Sequence, residues 1–196
     1  DKTIDGGKGF DWGRVSSEYA KYRDIYPKIF FQKILDLGLC KDGQKILDLG
    51  TGTGVLPRNM YCYGGIWTGT DISEEQIEQA KHLSAGMNID YKAVATEKID
   101  FPAESFDVIT ACQCFWYFDH ESVMPNLYRM LKPGGMFLIC NESSGDTDKD
   151  EKWTKIIDGM TIYKDVELKA KLEQAGFRDV QIHKNKWGWL CVTARK

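Results

Sequence analysis

Residues 46–54 read Ile46-Leu47-Asp48-Leu49-Gly50-Thr51-Gly52-Thr53-Gly54. An apolar run ends in an acid and is followed by glycine at every second position. No other segment constrains the fold as much. Ile46, Leu47 and Leu49 suit a short buried strand, and the turn after them needs glycine's conformational range. Glycines also let the backbone approach a ligand and offer it free N–H groups. Helix-like sequence resumes at Val55. The loop therefore lies at a helix N-terminus, where the negative end of a ligand is favoured.

Asp48 and Val55 narrow the ligand. A carboxylate just before the loop repels a phosphate and accepts an ammonium or a hydroxyl group. A dinucleotide fingerprint counted from Gly50 requires glycine at position 55, where this chain has Val55. The Gly-Lys-Ser/Thr ending of a phosphate loop is missing as well. These residues point to S-adenosylmethionine, which presents an amino-acid end and a ribose, over a nicotinamide cofactor. The plainer reading of the same residues is a glycine-rich turn without a ligand.

The 196 residues suffice for one domain, 1–196, with a sizeable core. A net charge of −3 argues against nucleic acid as a partner. No apolar run approaches the roughly 20 residues that span a bilayer, so no membrane partner is expected. The six cysteines lie in apolar contexts without a Cys-x-x-Cys pair, and read as reduced, buried thiols of a cytoplasmic protein. Cys112 and Cys114 have the spacing of one strand face and can in principle share a soft metal. No third or fourth ligand is near in sequence, so no metal is expected.

Strands alternate with helices, which predicts an α/β fold with a mostly parallel sheet covered on both faces. Ser16 is placed to cap a helix carrying Tyr19, Tyr22 and Arg23, which ends before Pro27. The next helix turns Ile29, Phe30, Ile34 and Leu37 inward. Strands are expected at 45–49, 66–70, 89–94, 106–112 and 136–140. Ser73 and Gln76 form a capping box, Asp119 caps a later helix, and residues 132–135 (Lys-Pro-Gly-Gly) break it. After a last helix at about 165–175, two strands follow without a helix between them, which predicts an antiparallel hairpin.

Ligands in open α/β sheets bind beyond the carboxyl ends of the strands. After strand two stands Asp71, which can accept both ribose hydroxyls, with Ile72 against the adenine face. Ser73 already suits the capping task that Asp71 would otherwise perform. After strand three stand Thr96 and Glu97, and after strand four the aromatic run Phe115-Trp116-Tyr117-Phe118. That run reads as a core plug or as a wall for a methyl donor and an apolar acceptor.

The Asp48-x-Gly50-x-Gly52-x-Gly54 pattern, Asp71, the Phe106–Ile109 strand and Leu131-Lys132-Pro133-Gly134-Gly135 resemble the small class I S-adenosylmethionine-dependent methyltransferases related to ubiquinone and menaquinone C-methyltransferases. The segment from Ser17 to Arg23, followed by Tyr26-Pro27, resembles the cofactor-covering N-terminal helix of that group. The resemblance implies a Rossmann-like αβα sandwich with a seven-stranded sheet. It implies that Asp48, Gly50, Thr51, Gly52 and Gly54 hold the methionine part and Asp71 the ribose. Ile72 and Thr96 would flank adenine, and Gln113 would line the donor pocket. Tyr19, Tyr22 and Arg23 would close over the carboxylate. Relatives often carry an acid where this chain has Ala95, which leaves the backbone of Thr96 and Glu97 to meet adenine.

Methyl transfer from a sulfonium is an in-line displacement that positioning can accelerate without an obligatory base. His120 and Glu142, after strands four and five, stand at the expected acceptor rim, where either could accept a proton; a purely structural role is the alternative for each. The expected function is methyl transfer to a small-molecule acceptor, by a monomer or homodimer. The alternative is a protein that binds S-adenosylmethionine or S-adenosylhomocysteine without turnover.

Overall fold

The computed structural model describes residues 26–142, 164–184 and 189–196. Helix α1 (Lys28–Asp36) precedes β1 (Lys45–Leu49), α2 (Val55–Met60), β2 (Ile66–Asp71), α3 (Glu74–Leu83) and β3 (Asp90–Ala93). Then follow β4 (Phe106–Cys112), α4 (His120–Met130), β5 (Leu131–Glu142), α5 (Asp165–Gln174), β6 (Arg178–Lys184) and β7 (Trp189–Arg195). Seven strands form one sheet in the order β3-β2-β1-β4-β5-β7-β6. The first five are parallel, while β7 runs antiparallel to both β5 and β6. This is the Rossmann-like sheet with a C-terminal hairpin expected from the sequence.

Strand alternation decides which helices cover which face. On one face Leu47, Leu49, Ile109, Ala111, Phe137 and Ile139 pack against Val123 and Leu127 of α4 and Leu168 and Leu172 of α5. On the other, Ile46, Val108, Cys112, Leu138 and Cys140 pack against Ile34 of α1 and Leu56 and Met60 of α2. Both faces of the central strands are thus dry, which is why they read as continuous apolar runs. Helix α3 lays Ile77 and Ala80 on Tyr91 of β3.

Several local expectations are corrected. Helix α1 buries Ile34 and packs Phe30, Phe31 and Leu35 against the core, whereas Ile29 and Leu37 are 60% and 43% exposed. The inward stripe thus runs through Phe30, Phe31, Ile34 and Leu35, with Tyr26 stacked on Phe30 at 4.4 Å. Strand β5 begins at Leu131 rather than Met136. Leu131 pairs with Phe106 and Met136 with Val108, so residues 132–135 form an irregularity inside the strand, not a break before it. Cys62 is exposed and Cys114 and Cys191 are partly so, against the expectation of six buried thiols. The helix expected to carry Tyr19, Tyr22 and Arg23 lies outside the described residues, as do residues 143–163 between β5 and α5.

Candidate functional site

Strand order reverses its chain direction at β1, which lies between β2 and β4. The carboxyl ends of β1 and β4 therefore flank the crevice in which ligands of such sheets bind. The glycine loop fills its floor. Gly50, Gly52 and Gly54 all have left-handed φ, at 55°, 55° and 75°. Two of them are also sterically required. A Cβ on Gly50 would lie 2.6 Å from the Cβ of Cys114, and one on Gly54 would collide with the Tyr91 hydroxyl. At Gly52 the nearest atom to such a Cβ is Gln76 Oε1 at 3.9 Å, so this middle glycine faces open space.

Two carboxylates bracket the loop. Asp48 is buried in β1 and accepts from Thr51 Oγ1 at 2.7 Å and from Thr110 Oγ1 at 2.6 Å. Burial pushes its pKa up to about 6, against those two hydrogen bonds, and the Asp71 charge adds to the rise. Asp71, at the end of β2, accepts from the Gly52 N–H at 2.9 Å and from the Ser73 N–H at 3.0 Å. Burial raises its pKa as well, opposed by those backbone donors. Ser73 Oγ accepts from the Gln76 N–H at 3.2 Å and so caps α3, but the Ser73 N–H goes to Asp71 and not to the Gln76 side chain, so only half of the expected capping box forms. Asp71 thus steadies the loop while Ser73 takes the cap.

The outer parts of the site are laid out as follows. Ile72 is 73% exposed, beside Asp71. Thr96 is buried in a 3-10 turn that follows β3, and the Asp71 carbonyl accepts from the Val94 N–H at 2.8 Å. Glu97 is exposed, and its Oε1 accepts from the Asp119 N–H at 3.1 Å. Gln113 stands at the end of β4 with φ of 64°, its N–H on the Cys140 carbonyl at 2.8 Å. A non-glycine residue held left-handed at a strand end marks a constrained position. Cys114 donates to the Leu49 carbonyl at 3.1 Å and closes the gap between β1 and β4. The left-handed Gln113 turns the chain, so Cys112 and Cys114 do not share a strand face. Among the described residues no group of three or more His, Cys, Asp or Glu is placed to hold a metal ion.

The aromatic run divides. Phe115 and Trp116 are buried in the core that also contains Phe137, while Tyr117 is 42% exposed. His120 was expected at an open rim, and the structure corrects this. It is 5% exposed, lies 4.3 Å from the Phe115 ring, and its Nε2 is 2.7 Å from the Phe115 carbonyl. Burial lowers its pKa, so it stays neutral near pH 7. This placement suits a structural role. The Glu142 side chain and all of Tyr19, Tyr22 and Arg23 lie outside the described residues.

Sequence reasoning missed Tyr91 and Thr110. Tyr91, bonded to Ser84 Oγ at 2.9 Å, is the side chain against which Gly54 and Gly69 pack. Thr110 lies in register with Asp48 on the neighbouring strand. A hydroxyl within the apolar run from Val108 to Cys112 was its only signal.

Comparison with known proteins decides the kind of fold this site belongs to. Residues 47–139 match a family model described as a methyltransferase domain. The stretch from β1 to β5 is thus similar to a methyltransferase domain. A ubiquinone biosynthesis O-methyltransferase of Pseudomonas putida (strain W619) is 33% identical to it over 129 residues, covering 63% of this chain and 54% of the relative. The Pseudomonas fluorescens (strain Pf0-1) counterpart shows the same identity and coverage. The chain thus spans about half the length of these curated relatives. Among solved structures, a SAM-dependent methyltransferase from Aquifex aeolicus superposes on the domain with a TM-score of 0.72 at 22% identity, covering 95% of this chain and 98% of that one. A Haemonchus contortus phosphoethanolamine N-methyltransferase 2 in complex with S-adenosyl-L-methionine gives 0.75 at 19% identity, covering 100% and 58%. At that identity the structures support the fold of the domain alone. No helix among the described residues is long and apolar enough to cross a membrane.

Proposed function

We propose that the protein is an S-adenosylmethionine-dependent methyltransferase acting on a small-molecule acceptor. The observation that carries this reading is the loop from Gly50 to Gly54, bracketed by Asp48 and Asp71, at the carboxyl edge of β1 and β2. The residues fit the cofactor. Gly52 leaves room where a side chain would fill the cradle. Asp71 accepts from the Gly52 and Ser73 N–H groups on different carboxylate oxygens, and the carboxylate keeps lone pairs for ribose hydroxyls. Ile72 offers an exposed apolar face for adenine. Asp48 acts from beneath, orienting Thr51 and placing negative charge near the amino-acid end. Gly50, Gly54, Thr96, Glu97 and Gln113 complete the assigned contacts, with Tyr19, Tyr22 and Arg23 as the covering residues.

Bound S-adenosylmethionine supplies a methyl group already activated on a sulfonium. The protein's part is to hold donor and acceptor in line and to exclude water. No general base is assigned. The small-molecule class of acceptor is supported by the named activity of the ubiquinone-biosynthesis relatives.

Isothermal titration calorimetry with S-adenosylmethionine and S-adenosylhomocysteine tests the cofactor, with Asp71→Ala expected to weaken binding at least tenfold, about 1.4 kcal/mol. Absence of binding, or equal binding by wild type and variant, overturns the reading. A screen of phenolic, amine and carbon acceptors with labelled donor tests transfer. Tight binding without transfer to any acceptor would favour the non-catalytic alternative.

A further inference from the structure

We propose that Cys140 and Cys191 form a redox-active dithiol, in which Cys191 meets a small disulfide such as oxidised glutathione and Cys140 resolves it into a cross-strand disulfide. Cys112 of β4 is in register with Cys140 of β5, and Cys140 with Cys191 of β7. Residues in lateral register on adjacent strands point to the same side of a sheet, so three thiols form one row across three strands. That row lies on the face covered by α1.

The sulfurs of Cys140 and Cys191 are 3.8 Å apart, with Cys140 donating. Directly opposed antiparallel residues have Cα atoms about 4.5–5.5 Å apart, within the range a disulfide spans. Rotation of the two side chains therefore suffices to close the bond. The pair is also asymmetric. Cys140 is 2% exposed, whereas Cys191 is partly exposed and is the member a reagent reaches. The hydrogen bond from Cys140 draws the Cys191 pKa below the ordinary thiol value against the cost of burial, and the Lys33 ammonium helps. A thiolate is the attacking species in exchange.

The step balances as two exchanges. The Cys191 thiolate attacks one sulfur of oxidised glutathione, and a glutathione thiolate leaves. The Cys140 sulfur then attacks Cys191, its proton passing to the second departing glutathione. Two protein thiols are oxidised, and one glutathione disulfide is reduced to two thiols.

The test uses the whole chain in a Cys62→Ser background, which removes the exposed thiol. After native incubation with excess oxidised glutathione, peptide mapping is expected to show a Cys140–Cys191 cross-link. The unfolding midpoint is expected to rise, because the bond closes a loop of 51 residues. Cys140→Ser is expected to stop at a glutathione adduct on Cys191, and Cys191→Ser to give neither product. The proposal is overturned by an unmodified Cys191, by an adduct there that never resolves when Cys140 is present, or by a cross-link from Cys140 to Cys112. The Cys62→Ser map alone decides this even if the other variants fail to fold.

Discussion

At Gly54 two costs fall on one atom. Any Cβ must tolerate a φ of 75° and must displace the Tyr91 hydroxyl. The left-handed conformation costs about 1–2 kcal/mol and overpacking about 1–3 kcal/mol. Gly54→Ala is therefore expected to lose about 2–5 kcal/mol in denaturant unfolding. In the Tyr91→Phe background the colliding oxygen is gone, so only the conformational part should remain. A double-mutant cycle showing no coupling would mean that Tyr91 does not set the requirement. Asp48 predicts a pH dependence. Its folded pKa of about 6 exceeds the usual carboxylate value, so the native state holds a proton the unfolded chain gives up. Ionising Asp48 thus destabilises the apoprotein, by about 3 kcal/mol in full. This loss is absent below pH 4 and complete above pH 6. Asp71 shifts in the same direction. Asp48→Asn keeps Asp71, and its stability relative to wild type is expected to improve steadily from pH 4 to pH 6.5. A flat difference over that range would show that Asp48 is ionised throughout. The alternating glycines and the two acids were legible because each is a residue type with few substitutes in its task. Tyr91 and Thr110 were not, because their roles depend on which strand becomes a neighbour.

At the scale of an element, the 3-10 turn Phe115–Tyr117 and the start of α4 form one aromatic unit. Phe115 touches Trp116, Phe118, His120 and Phe137. Truncation to Phe115→Ala is expected to cost about 3–5 kcal/mol by thermal or chemical unfolding. His120→Gln is expected to lower stability while leaving the pH dependence of kcat unchanged. Loss of one limb of that profile would instead make His120 a proton acceptor. Element type and order were readable from period and punctuation, as the Ser73 cap of α3 illustrates. The rotation of α1 was not, because Ile29 and Phe31 are both apolar and the local pattern does not choose between them. Nor was the continuation of β5 through Pro133, where an irregularity absorbs residues that locally favour a turn.

Across the whole molecule, protection should follow position in the sheet. Strands β1, β4 and β5 have neighbours on both sides and dry faces, whereas β3 and β6 are edges. Native-state hydrogen exchange is expected to open the central amides only by global unfolding, with β3 amides exchanging through smaller openings. Uniform protection across the sheet would contradict this. Strand β7 adds a further consequence, because it is later in sequence than β6 yet lies between β6 and β5. During synthesis, a chain that has made β6 holds two strands that cannot properly zip to each other. Until β7 arrives, β5 presents a bare edge, the kind of surface that recruits another molecule's strand. Until β7 docks between β5 and β6, the open edge of β5 is therefore the part of the sheet exposed to mispairing.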